Sequence, residues 1–146
     1  MLALALSWTR SPWRAAMILE AAALYCLTQL VCFEARSEDA QAQRNVVYTA
    51  LNRLHHSRWP NTACEVVRQK HQYIFYWDGK PERVHEPEAW KAAQQSVKDA
   101  LQFYHVENSG FTHYHHYSIP APYWVASMTG ATRIGAHVFY YEKERR

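Results

Sequence analysis

The sequence predicts a mainly helical α+β fold with a small β portion, on three observations. Apolar residues recur at helical spacing over most of the chain up to Tyr104. After Asn108-Ser109-Gly110 the pattern turns strand-like. A chain of 146 residues that is 49% hydrophobic suffices for one core and is short for two. The expected organisation is an N-terminal segment, residues 1–12, followed by one domain over 13–146.

The first helix is expected from Trp13 to Ala35, entered through Ser11 as cap and Pro12 at the first helical position. Its apolar residues are too dense for a narrow stripe, which predicts burial on most of its circumference. Glu20 interrupts the run, and Thr28 with Gln29 polarises its end. A buried helix therefore fits better than a membrane span of some 20 apolar residues. No small-residue cleavage site follows, so no cleaved signal peptide is read here.

Ser37-Glu38-Asp39 breaks this helix and caps a second, from Ala40 to His55, in which Val46, Val47, Ala50, Leu51 and Leu54 recur at three and four residues. Trp59-Pro60-Asn61 is a turn, and Thr62 to Gln69 a short helix. His71 to Lys80 is aromatic and β-favouring and closes on Asp78-Gly79, a turn signal. Pro87 opens a helix that reaches about Tyr104. Thr112 to Ser118 and Arg133 to Tyr141 read as two strands around a short Tyr123-to-Met128 helix, and Glu142 to Arg146 as a charged tail.

Sixteen Lys and Arg against thirteen Asp and Glu leave a net charge of +3, too small to argue for nucleic acid. The rings at Tyr73, Phe75 and Trp77 lack the basic strip that single-stranded nucleic acid requires. On one face of an extended segment they suit the apolar faces of sugars, or else a core. Three cysteines without a CxxC pair argue against a disulfide framework. Cys26 and Cys32 read as small core residues, and such usage fits synthesis in a reducing cytosol.

Glu34 stands at the end of the most apolar segment, where desolvation would raise its pKa toward neutrality and suit it to donate a proton. The plain alternative is a helix-terminal glutamate paired with Arg36. Glu38 can share its face only if the helix continues, and reads instead as an acid at the next helix N-terminus. His113 and His115 share a strand face, and with His137 from a neighbouring strand they can supply three imidazoles to a zinc ion; line a polar cleft; or do neither. Neither HExxH nor GxSxG is present.

These residues carry a family likeness. Leu30-Val31-Cys32-Phe33-Glu34-Ala35-Arg36, Leu51-Asn52-Arg53, Arg58-Trp59-Pro60-Asn61, Gln72-Tyr73-Ile74-Phe75, Thr112-His113-Tyr114-His115, Pro122-Tyr123-Trp124 and Ile134-Gly135-Ala136-His137 follow in order. The chain resembles the catalytic domain of the SleB and CwlJ group of cell wall hydrolases. That resemblance implies a lysozyme-like lytic transglycosylase fold, no cofactor and no metal. It also implies cleavage of peptidoglycan between N-acetylmuramic acid and N-acetylglucosamine, with Glu34 as general acid and base. Tyr114 and Trp124, with His113, His115 and His137, match motif positions implied to line or shape the cleft, and Tyr73, Phe75 and Trp77 are candidate sugar platforms. The expected partner is the glycan strand, with neither nucleic acid nor a stable membrane span. The implied place of action is the bacterial wall or periplasm after synthesis in the cytoplasm. The compact form looks phage-like. Ser37 replaces the family's usual glycine, so the loop there is expected to differ. The competing readings are a muramidase, a histidine- and metal-dependent wall amidase, and a non-catalytic wall-binding or virion structural protein.

Overall fold

The computed structural model describes residues 12–69 and 86–143, with side chains from Glu20 onward in the first helix. The expected Ser11 cap, the Tyr73, Phe75 and Trp77 rings and the Asp78-Gly79 turn lie outside the described residues. Helix α1 spans Pro12–Ala35, α2 Ala40–Leu54, α3 Ala63–Val67 and α4 Pro87–Glu107. Strands β1 (His113–His116), β2 (Met128–Ile134) and β3 (His137–Glu142) form an antiparallel sheet in the order β1-β3-β2. The expected mainly helical α+β fold is what is seen.

Each helix begins where local chemistry allows. The Asp39 side chain accepts from the Ala42 amide at 2.8 Å, and Thr62 accepts from Glu65 at 3.2 Å, which satisfies donors that a helix start leaves unpaired. Pro87 sits in the first turn of α4, where its missing N–H costs nothing. Helix α4 buries Ala93, Ser96, Val97 and Ala100 at three- and four-residue spacing, one narrow stripe. It runs one turn past its expected end, to Glu107, which pairs with Arg44 on α2 at 2.9 Å.

Helix α1 is different, since Cys26 to Cys32 are all buried, and it packs against α2, α3 and α4. The family-like Asn52 and Arg53 tie this helical core to the sheet. Asn52 donates to the Phe111 carbonyl at 2.8 Å and trades amide hydrogen bonds with Asn108, while the buried Arg53 donates to the Thr112 carbonyl at 2.7 Å.

Two expectations need correction. The segment Arg133 to Tyr141 is not one strand. Gly135, at φ 59°, turns the chain between β2 and β3, a conformation that glycine takes without steric cost. Residues on either side are β-favouring, which masks the turn in the sequence. The short helix before it is a 3-10 turn, Tyr123–Ser127, and Glu142 belongs to β3 and pairs with Arg58.

The second correction concerns the cysteines. Cys26 and Cys64 form a disulfide that joins α1 to α3 across 38 residues, while Cys32 is free and buried. The pairing depends on two helices meeting in space, which sequence spacing does not reveal. Such bonds form and persist in oxidising surroundings. Among the described residues no helix is long and apolar enough to cross a membrane. Replacing Cys26 and Cys64 together by serine is expected to lower unfolding stability by about 3 to 4 kcal/mol, the loop-closure value for a bridge of this span. Denaturant titrations with and without reductant check this: the wild-type midpoint should fall in reductant and the variant's should not move.

Candidate active site

Helix α1 ends by carrying Glu34 to a cleft of about 300 Å³, lined also by Arg36, Glu38, His116 and His137. The helix end is fixed from beneath. Buried Gln43 donates to the Ala35 carbonyl at 3.1 Å and to that of Arg36 at 3.4 Å, and its own carbonyl accepts from Ser96 at 2.6 Å. The main chain that carries Glu34 is thus fixed, and the residue itself is only partly open to water.

Its surroundings set its proton affinity. Burial pushes the Glu34 carboxyl up to about 7, and the Tyr114 hydroxyl, which donates to Oε2 over 3.4 Å, pulls weakly the other way. The ion pair of Arg36 goes to Glu86, at 3.3 Å, and not to Glu34. A carboxyl group that stays half-protonated near neutrality can deliver a proton and take one back.

Glu38 faces the same cleft with a different task. Its Oε1 accepts from the Ala136 amide at 2.8 Å and lies 4.0 Å from His137 Nδ1. It is therefore a latch between the end of α1 and the β2–β3 turn, more than an acid at a helix N-terminus. The positive φ of Gly135 favours glycine there, and a Cβ would come within 2.4 Å of Glu38 Oε2 and 3.0 Å of the Ala42 Cβ, so a larger residue would have to displace the Glu38 carboxylate. His137 is buried, its ring edge-on to Tyr114 at 4.9 Å. Burial pushes its pKa below the usual imidazole range, against the pull of Glu38, so it is neutral at pH 7.

The sheet register divides the remaining candidates. Tyr114 pairs with Phe139 and His116 with His137, on the face toward Glu34. His113 and His115 point to the opposite face. There His113 lies between Trp59 and Trp124, at 5.9 and 5.2 Å, and burial with the nearby Arg53 and Arg58 pushes its pKa down to about 4. His115 Nδ1 donates to the His116 carbonyl at 2.9 Å, which leaves Nε2 to accept from the Tyr140 hydroxyl at 2.8 Å. Trp124 covers this layer, 5.6 Å from Tyr140.

Of the residues singled out in the sequence, the structure brings together Glu34, Tyr114 and His137. It sets His113, His115 and Trp124 behind the sheet, so the zinc-ligating trio of His113, His115 and His137 is not assembled. Among the described residues no group of three or more His, Cys, Asp or Glu is placed to hold a metal ion. His116 was missed as a cleft residue, although strand alternation from Tyr114 points to it. The free thiol Cys32, at the cleft floor, is pushed up to about 11 chiefly by burial, which makes it a poor nucleophile.

The chain belongs to the cell wall hydrolase family, whose model, described as Cell Wall Hydrolase, matches residues 37–140. It is an enzyme that acts on peptidoglycan. The match starts just after Glu34, so the case for that residue rests on its position and environment. The fold is similar to the crystal structure of the catalytic domain of the Bacillus cereus SleB protein, at 21% identity and a TM-score of 0.69 over 83% of this chain and 91% of that one. It is equally similar to the catalytic domain of the germination-specific lytic transglycosylase SleB from Bacillus anthracis, at 22% identity and a TM-score of 0.68 over 82% and 93%. A comparison with curated proteins finds no match.

Two measurements follow from this geometry. The folded Glu34 holds its proton up to about pH 7, against 4.5 for an unperturbed glutamate. Its contribution to stability is therefore complete below about pH 4.5 and is lost as the pH rises through 7. Stability of the Glu34→Gln variant should lack that slope and exceed wild type above pH 7 by at most about 3 kcal/mol. Lytic activity should decline above pH 7, and Tyr114→Phe should shift that alkaline limb upward by removing a bond to the ionised form. Separately, Gly135→Ala should destabilise by about 1 to 3 kcal/mol and lower activity, read by thermal unfolding beside turbidity loss of cell walls.

Proposed function

We propose that the chain cleaves peptidoglycan strands between N-acetylmuramic acid and N-acetylglucosamine as a lytic transglycosylase, with Glu34 as general acid and then general base. One observation carries the reading: among the described residues the cleft holds one carboxyl group poised near neutrality, Glu34, while the second, Glu38, is committed to the Ala136 amide. A mechanism that needs a single carboxyl group fits this better than one that needs a second as nucleophile or base. The Bacillus anthracis neighbour, described as a lytic transglycosylase, agrees with it.

In this mechanism protonated Glu34 donates to the oxygen that leaves as the N-acetylglucosamine 4-hydroxyl, and the bond from that oxygen to C1 of the muramoyl sugar breaks. The 2-acetamido group supports the positive charge at C1. Glu34, now a carboxylate, takes the proton of the muramoyl 6-hydroxyl as O6 attacks C1. The products are the free 4-hydroxyl end and a 1,6-anhydro ring, and Glu34 is protonated again. Tyr114 orients the acid, and His116 and His137 form the opposing wall. His113, His115 and Trp124 stiffen that wall from behind, and Tyr73, Phe75 and Trp77 are proposed to stack on sugar rings. No cofactor enters these steps.

Mass spectrometry of fragments released from purified walls tests the proposal. Muramoyl ends lighter by one water are expected, and Glu34→Gln should slow their release by about 10²- to 10⁴-fold. Reducing muramic ends would make the enzyme a hydrolase of the same bond. Peptide or amide cuts would move the chemistry away from Glu34, and binding without release would leave a wall-binding or structural role.

A further inference from the structure

We propose that Arg36 is a specificity-determining residue that takes a carboxylate carried by the muramoyl unit, on the lactyl group or its peptide; this rests on the glycan-cleaving reading above. Arg36 follows Glu34 by two residues and is the only lysine or arginine among the described residues that line the cleft. Its backbone is clamped by Gln43, so the base of the side chain is fixed relative to the catalytic acid. Its head is not. The guanidinium is about half exposed (47%), and its partner Glu86 is 65% exposed, at 3.3 Å through one nitrogen.

An exposed pair of this kind contributes little to stability and gives way readily to a better acceptor. A guanidinium offers two parallel donors to a carboxylate, and the contact with Glu86 uses a single nitrogen. Within the cleft, Glu38 already accepts from Ala136, and Glu34 is protonated over much of the working range. Neither competes strongly for an incoming anion. Peptidoglycan supplies that anion close to the scissile bond, because each muramoyl sugar bears either a free lactyl carboxylate or a peptide with carboxylates of its own. Exchange of Glu86 for the substrate's carboxylate would set the muramoyl sugar on the Glu34 side of the cut.

The test compares soluble glycan strands bearing native carboxylates with the same strands after carbodiimide coupling to methylamine, which makes those groups neutral amides. Wild type should lose about ten- to a hundredfold in kcat/KM on amidated strands, mainly through KM. Arg36→Gln should show a loss of that size on native strands and little further loss on amidation, and Arg36→Lys should recover part of it. Strands stripped of peptide by an amidase exchange the peptide carboxylates for a newly freed lactyl carboxylate, which methylamine coupling then neutralises: an Arg36 effect that survives stripping and is lost on that coupling assigns the contact to the lactyl position, and its loss on stripping assigns it to the peptide. An equal Arg36→Gln loss on both strand types, or no loss on either, would overturn the proposal. Rates are read from total fragment release, so failure of the charge coupling is separable from failure of the transglycosylase reading, which the chemical ends of the fragments report.

Discussion

The burial of α1 between three other helices is the constraint on which the site depends. Leu27, Leu30 and Val31 leave this helix almost no freedom to rotate or slide, because each is fully enclosed. A helix so fixed delivers its last turn to one place. Glu34 therefore meets the edge of the core at a set depth, and that depth produces its high proton affinity. Core packing and acid chemistry are here two consequences of one apolar run.

The sheet supplies the second half of the arrangement by sorting residues to its two faces. Phe139 packs on Phe111 and Tyr114 at the core side, which forces their neighbours in the strands outward. Tyr114 and His137 reach Glu34's side as members of the packed face, while His113 and His115 join an aromatic layer with Trp124 and Tyr140. The proximity of several histidines in sequence thus does not make a cluster in space. Glu38 then closes the two halves on each other through a backbone amide, which ties the cleft's width to the turn at Gly135.

Helices were legible because three- and four-residue spacing directly encodes a buried face, as in Ala93, Val97 and Ala100, and because Asp39, Thr62 and Pro87 mark their starts. The candidacy of Glu34 was legible for a related reason: a carboxyl at the end of an apolar run must be desolvated. What escaped depends on contacts between distant segments. The Cys26–Cys64 bond, the latch at Ala136 and the Arg44–Glu107 pair at the end of α4 each join residues whose closeness follows only from the completed packing. The β2–β3 turn escaped because a single glycine makes it within a strand-like stretch, and the face of His137 escaped because it is set by the β1–β3 register, which pairs His137 with His116 and not with His115.

With Cys26 and Cys64 bonded to each other, Cys32 is the single thiol left in a chain of three cysteines, and it lies under the floor of the cleft two residues before Glu34. Although it borders the cleft it is almost fully enclosed, so loosening of the end of α1 from its neighbours would speed its alkylation. The sequence thereby contains its own clock for local opening at the catalytic end of the helix. The rate of labelling at that sulfur would time the excursions of the element that carries the acid, without an added probe.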